Sequence, residues 1–180
     1  MVDRRRYSDV IVGWTVYPAG DLVAQLITGH VEPLRIVVMA LAGGLIYRYE
    51  VPWWFRKLDQ HELSEARGIR RFFVRDAEND RHLNWLGRTV GAILYFNPLW
   101  IARHMLFIRL GSDPSSLQHF GSALTEALVL GTKSFFVNLP ISFIGNYLIQ
   151  VRIPLRWRFL ASSIFSAILA AAYALAYRYF

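Results

Sequence analysis

The chain has 180 residues, 54% of them hydrophobic and only 18% charged, with a formal net charge of +7. Soluble domains carry about a quarter charged residues, so the composition argues against a soluble domain. It points instead to an all-α integral membrane protein with one domain, residues 1–180. Cysteine is absent, which excludes disulfides, thiol catalysis and cysteine-held metals.

The apolar residues fall in blocks of roughly 20, the length that crosses a ~30 Å hydrocarbon core as a helix. The first block runs from about Asp9 to Ile27, behind the basic cluster Arg4-Arg5-Arg6. A basic start also fits a signal peptide, but Asp21 and Gln25 are foreign to an apolar signal core. The second block runs from about Leu34 to Phe55, entered at Glu32-Pro33. Residues 56–84 then form a charged extramembrane loop, in which ELSEARGIRRFFVRD reads as an interfacial helix followed by a turn. The third block runs from about Trp85 to Leu110. The fourth, about Leu117 to Val151, holds Pro140 and is expected to tilt or kink. The fifth, Phe159 to Tyr177, contains no charge. The prediction is a bundle of about five hydrophobic helices making four to five spans.

Five spans sort the positive charge. Arg4 to Arg6, the basic residues of the loop (Arg56, Lys57, Arg67, Arg70, Arg71, Arg75, Arg81) and Arg152, Arg156 and Arg158 fall on one face. Arg35, Arg109 and Arg178 fall on the other. This is the asymmetry of the positive-inside rule, with the N-terminus inside. It accounts for most of the net charge, so no nucleic-acid partner is expected. Trp53, Trp54, Trp85, Trp100, Trp157 and Tyr177 stand at or near segment ends, as an aromatic belt requires.

A charge near the centre of a span costs about 2.5–3.5 kcal/mol and seeks the bundle interior. Asp21, Arg103 and Glu126 fall at similar depths under this topology. They are expected to meet, either as an ion-pair network that fixes helix order or as part of a polar path. Gln25 shares a helix face with Asp21. Lys133 and Asn138 complete the set of pore or polar-interior candidates. Arg48 and Glu50 are expected near the inner headgroups. Small-residue pairs (Gly87 with Gly91, Ala127 with Gly131, Gly13 with Gly20) are expected to serve helix packing rather than oligomerisation. The chain has neither a phosphate-binding glycine loop nor a G-x-S-x-G turn, and its histidines lack metal-ligand spacing. No enzyme, metal or cofactor is expected.

Several stretches resemble the Mpv-seventeen / peroxisomal-membrane-protein / Sym-one family. Gly20-Asp21 with Gln25 is similar to its G-D-x-x-x-Q signature. Gly44, Trp54-Phe55 and Leu58-Asp59 resemble the end of its second helix. Pro140, Asn146, Pro154 and Arg158 are similar to its W-P…N-F…V-P…R signature, with Leu139 in place of the tryptophan and Phe143 in place of a glutamine. Arg48-Tyr49 stand where the family has Gly-Pro, Pro52 where it has His, and its D-Q before the third-helix proline is missing near Pro98. The resemblance implies a small protein of the mitochondrial inner membrane, with peroxisomal or bacterial membranes as alternatives. It also implies a weakly selective channel for small solutes or ions. The alternative is a non-catalytic accessory subunit of a respiratory or photosynthetic membrane complex, which the lost interior polar groups favour. Expected partners are the lipid bilayer and, on that alternative, other membrane subunits.

Overall fold

The structure, a computed structural model, describes residues 4–62, 72–74 and 82–179, with side chains for 8–62, 72–74 and 82–171. Every regular element among the described residues is helical. The α-helices are α1 (Arg4–Thr28), α2 (Pro33–Leu41), α3 (Arg48–Gln60), α4 (Trp85–Tyr95), α5 (Pro98–Ser112), α6 (Phe120–Tyr147) and α7 (Leu155–Tyr179). A widened π turn over Ala42–Tyr47 joins α2 to α3, and another over Leu148–Arg152 ends α6. Two helical stretches, Ser8–Thr28 and Phe120–Arg152, are long and apolar enough to cross a membrane.

Glycine and proline set the first hairpin. Gly29 takes φ +81°, the left-handed conformation that glycine adopts without strain. Its N–H bonds the Leu26 carbonyl at 3.2 Å while the His30 N–H bonds Gln25 at 3.2 Å, a Schellman stop. Pro33 then opens α2, where its missing N–H costs nothing. So short a connection forces α2 antiparallel to α1.

Close backbone crossings hold this pair. A Cβ on Gly13 would come within 2.5 Å of the Gly43 carbonyl oxygen, and one on Gly44 would strike the Trp14 indole. Gly20 faces Ala167 of α7 in the same way, and Tyr17 meets Phe159 with ring centroids 6.4 Å apart. These pairs advance together along both helices, so α1 and α7 run parallel. Gly131 of α6 lies against Ala102 and Pro98 of α5, which runs antiparallel to it. The glycines of all three expected pairs thus meet neighbouring parts of the same chain, Gly87 facing Phe73 and Leu83 and Gly91 facing Leu58.

The described helices therefore make five passes along the bundle: α1, α2 with α3, α4 with α5, α6, and α7. The third is not the continuous helix expected from Trp85 to Leu110; it breaks at Phe96–Asn97. The fifth helix starts four residues before Phe159, directly after Pro154. Of the charged loop, residues 56–60 continue α3. The expected interfacial helix lies largely outside the described residues. Where the chain re-enters, Glu62 bridges to His82 and Val74 to Leu83. Asn84 fastens this junction: its amide donates to Phe72 O (2.8 Å) and Val74 O (3.1 Å), and its oxygen caps α4 at Gly87 N (2.9 Å).

The core is aromatic. Tyr47, Val51 and Phe55 are wholly buried or nearly so, beside Met39 of α2 and Phe159 of α7. At the basic end, Asp59 accepts from Arg88 (3.3 Å) and Arg158 (3.1 Å). Arg158 also donates to Ile153 O at 3.0 Å. One carboxylate thereby links α3, α4 and α7.

Candidate functional site: an ion-paired cleft at a broken helix

The break in the third pass follows from three residues. Pro98 has no N–H to continue the helix from α4. Asn97 stops it and restarts it, its side-chain oxygen accepting from Leu99 N (2.9 Å) and Trp100 N (3.1 Å). The Phe96 N–H closes the last turn of α4 on Ala92 O at 3.1 Å.

Beside the break a cleft of about 440 Å³ opens between α3, α4 and α5. Glu50, Trp54, Tyr95, Asn97, Trp100 and Arg103 line it. Arg103 grips Glu50 through both terminal nitrogens, at 3.1 and 2.7 Å. This fork geometry is the strong form of the carboxylate–guanidinium bond. The two side chains remain 33% and 29% exposed, so the pair is reachable from outside the bundle. Glu50 therefore does not reach for headgroups as expected; it spans to α5.

Aromatic rings close the space around the pair. Trp54 stacks on Tyr95 at 5.3 Å and donates its indole N–H to Gly91 O at 3.1 Å. Trp100 stacks on His104 at 5.6 Å and meets Tyr47 at 5.1 Å. The Tyr47 hydroxyl and His104 Nδ1 share a 3.2 Å hydrogen bond, and the Arg103 guanidinium lies 5.4 Å from the Tyr47 ring centroid. Tyr17 continues the aromatic layer at 4.9 Å from Tyr47. Three buried polar atoms around the cleft have no hydrogen-bond partner among the described residues: Tyr95 Oη, Trp100 Nε1 and Arg103 Nε.

The remaining predicted residues fall elsewhere. Asp21 is 5% exposed and its carboxylate is fully engaged. Arg35 donates to Oδ1 from Nε (2.9 Å) and Nη2 (2.6 Å), and Gln25 donates to Oδ2 at 2.6 Å. Gln25 also accepts from the Glu32 N–H at 2.6 Å, closing the α1–α2 turn. The expected meeting of Asp21, Arg103 and Glu126 does not occur. Each carboxylate has a nearer arginine: Asp21 takes Arg35, Glu50 takes Arg103, and Glu126 takes Arg109. Asn138 is half-buried and donates to Ser134 O in its own helix at 2.6 Å. Lys133 points outward from α6 and has no ion-pair partner among the described residues. Its expected place in a polar interior is not found. α6 packs through Ala123, Ala127, Gly131, Gly145 and Asn146, and Lys133 lies roughly 200° around the helix from Gly131.

Fold and site together define an all-helical bundle with paired internal charges and a polar cleft on its flank. No family model, curated protein or solved structure matches the chain.

Proposed function

We propose that the five passes are membrane crossings and that the chain is a non-catalytic subunit of a larger membrane assembly, docked through α6. The observation that carries this is Lys133. It lies thirteen residues from Phe120, roughly 20 Å at 1.5 Å per residue. Around it α6 exposes Val129, Leu130, Phe136 and Val137, each at least half accessible. Lipid takes those four readily but takes an ammonium at a cost of about 2.5–3.5 kcal/mol. A carboxylate on the helix of another subunit offsets that cost. A second copy related by an axis along the membrane normal at this point would set Lys133 against itself. The favoured partner is therefore a different chain with an Asp or Glu at matching depth.

The test is the native mass of the protein extracted gently from its own membrane, with its companions identified by mass spectrometry. A large species of fixed stoichiometry, lost in Lys133→Glu and retained in wild type, is expected. A species of one to a few copies of the 20.8 kDa chain would sink the proposal.

A second reading, a weakly selective solute channel, is favoured by the broken third pass. Irregular backbone at membrane depth is tolerated where it lines a cavity, and Asn97 lines the cleft. Liposome flux that depends on Arg103 and Glu50 would support it. Flux unaltered by Arg103→Gln would reject it.

A further inference from the structure

A second cavity lies at the basic end of the bundle, between α1, α3 and the start of α7, with a volume of about 330 Å³. Its floor is apolar: Pro52, Phe55 and Phe159 are all buried. Its rim carries Arg56 and Arg156, both exposed, and Asp9, half-buried. Neither arginine has an ion-pair partner among the described residues, whereas their neighbour Arg158 is committed to Asp59 and the backbone. Two guanidiniums against one carboxylate leave the rim positive. Arg4, Arg5 and Arg6 head α1 just before Asp9 and add to the positive charge of this end.

Two exposed tryptophans stand next to residues that line this cavity. Trp53 and Trp157, each next in sequence to a lining residue (Pro52 and Arg156), are about half exposed. Lys57 lies over the Trp53 ring at 5.8 Å and the Arg156 guanidinium over Trp157 at 5.9 Å. Exposed tryptophan paired with a basic side chain is the composition of a headgroup layer. Basic pockets between helices at that level suit anionic lipid headgroups.

We propose that this cavity binds one anionic phospholipid, its phosphate between Arg56 and Arg156 and the start of its chains over Pro52, Phe55 and Phe159. The proposal rests on the reading of the chain as membrane-embedded. A water-soluble phosphate would use the guanidiniums but not the apolar floor or the exposed tryptophans next to it, which is why a lipid is the assigned occupant.

The test uses the full chain purified in detergent and exposed to phosphatidylglycerol or to phosphatidylcholine of the same acyl composition. Native mass spectrometry counts retained lipid. One phosphatidylglycerol per chain is expected to survive activation that strips phosphatidylcholine. Arg56→Gln with Arg156→Gln is expected to weaken that retention about tenfold or more. Arg152→Gln, an exposed arginine at the same end but outside the cavity, is expected to leave it unchanged. Each single substitution gives an intermediate loss, which keeps the test open should the double variant fold poorly. Equal retention of both lipids, or wild-type retention by the variants, would overturn the proposal. So would full displacement of phosphatidylglycerol by millimolar inorganic phosphate, which would mark a simple anion site. Alkaline extraction of native membranes checks the membrane reading separately. A chain released by alkali fails that reading, whatever the lipid counts are.

Discussion

Arg35 closes on Asp21 from across the α1–α2 hairpin, two of its nitrogens sharing one carboxylate oxygen at 2.9 and 2.6 Å. The pair is almost enclosed, with side chains 21% and 6% exposed. Removing one partner leaves an uncompensated charge in a poorly solvated place. Asp21→Ala is therefore expected to destabilise the protein by about 3–5 kcal/mol. Replacing both, Asp21→Leu with Arg35→Met, is expected to recover most of that loss. Thermal unfolding in detergent measures both. A double variant as unstable as Asp21→Ala would show that the pair has a role beyond mutual neutralisation.

The glycine crossing between α1 and the first π turn gives a second expectation. A methyl group on Gly13 would sit 2.5 Å from the Gly43 carbonyl oxygen and 3.0 Å from its carbon. Both are backbone atoms and cannot rotate away. Gly13→Ala is expected to cost about 1–3 kcal/mol through separation of the helices. Gly121→Ala is the control. Among the described residues that position meets nothing within 4 Å, and as the second residue of α6 it gains up to about 1 kcal/mol from alanine in place of glycine. The two substitutions should move the melting temperature in opposite directions.

The sequence carries the passes more clearly than the contacts. Apolar length and the Gly29 and Pro33 signals are local, so the first hairpin is legible. The Asn97-Pro98 restart is also a local signal, but it lies inside an apolar run that reads as one span. Ion-pair choice is not local. Hydropathy gives the position of Asp21, Arg103 and Glu126 along their apolar segments but not the direction each faces around its helix. Arg35 and Arg109 lie close to helix ends, where basic residues report topology, and their role as partners is hidden by that reading. Lys133 is the instructive case. Its mid-helix position suggests an interior role, yet Ala123, Ala127 and Gly131 already mark the packed face of α6. The small-residue stripe was the available signal that Lys133 points away.

Asp113, in the connection between α5 and α6, provides a pH-dependent reporter. The Ser115 hydroxyl donates to it at 2.5 Å and the Ser116 hydroxyl at 3.0 Å. These bonds favour the carboxylate and hold its carboxyl below the ordinary value of 3.8. A depressed folded value stabilises the fold above the unfolded value. That contribution is lost as pH falls through the folded one. The Asp113 carboxyl should titrate below 3.8 by carbon-detected NMR, and Ser115→Ala should move it upward. An unchanged midpoint in Ser115→Ala would remove the hydroxyl as the cause.

Gln150 supplies the last expectation. It sits in the second π turn, is 0% exposed, and neither its amide oxygen nor its amide nitrogen has a hydrogen-bond partner among the described residues. A buried polar group left unsatisfied costs about 1–3 kcal/mol. Methionine has a similar length and flexibility and no such requirement. Gln150→Met is thus expected to raise the unfolding free energy by about 1 kcal/mol, near the low end of that cost because the replacement also loses packing fit. Gln150→Ala, which removes the same amide but leaves a void, should lower it. If methionine destabilises the protein as much as alanine does, the Gln150 amide is satisfied within the fold and its burial carries no such cost.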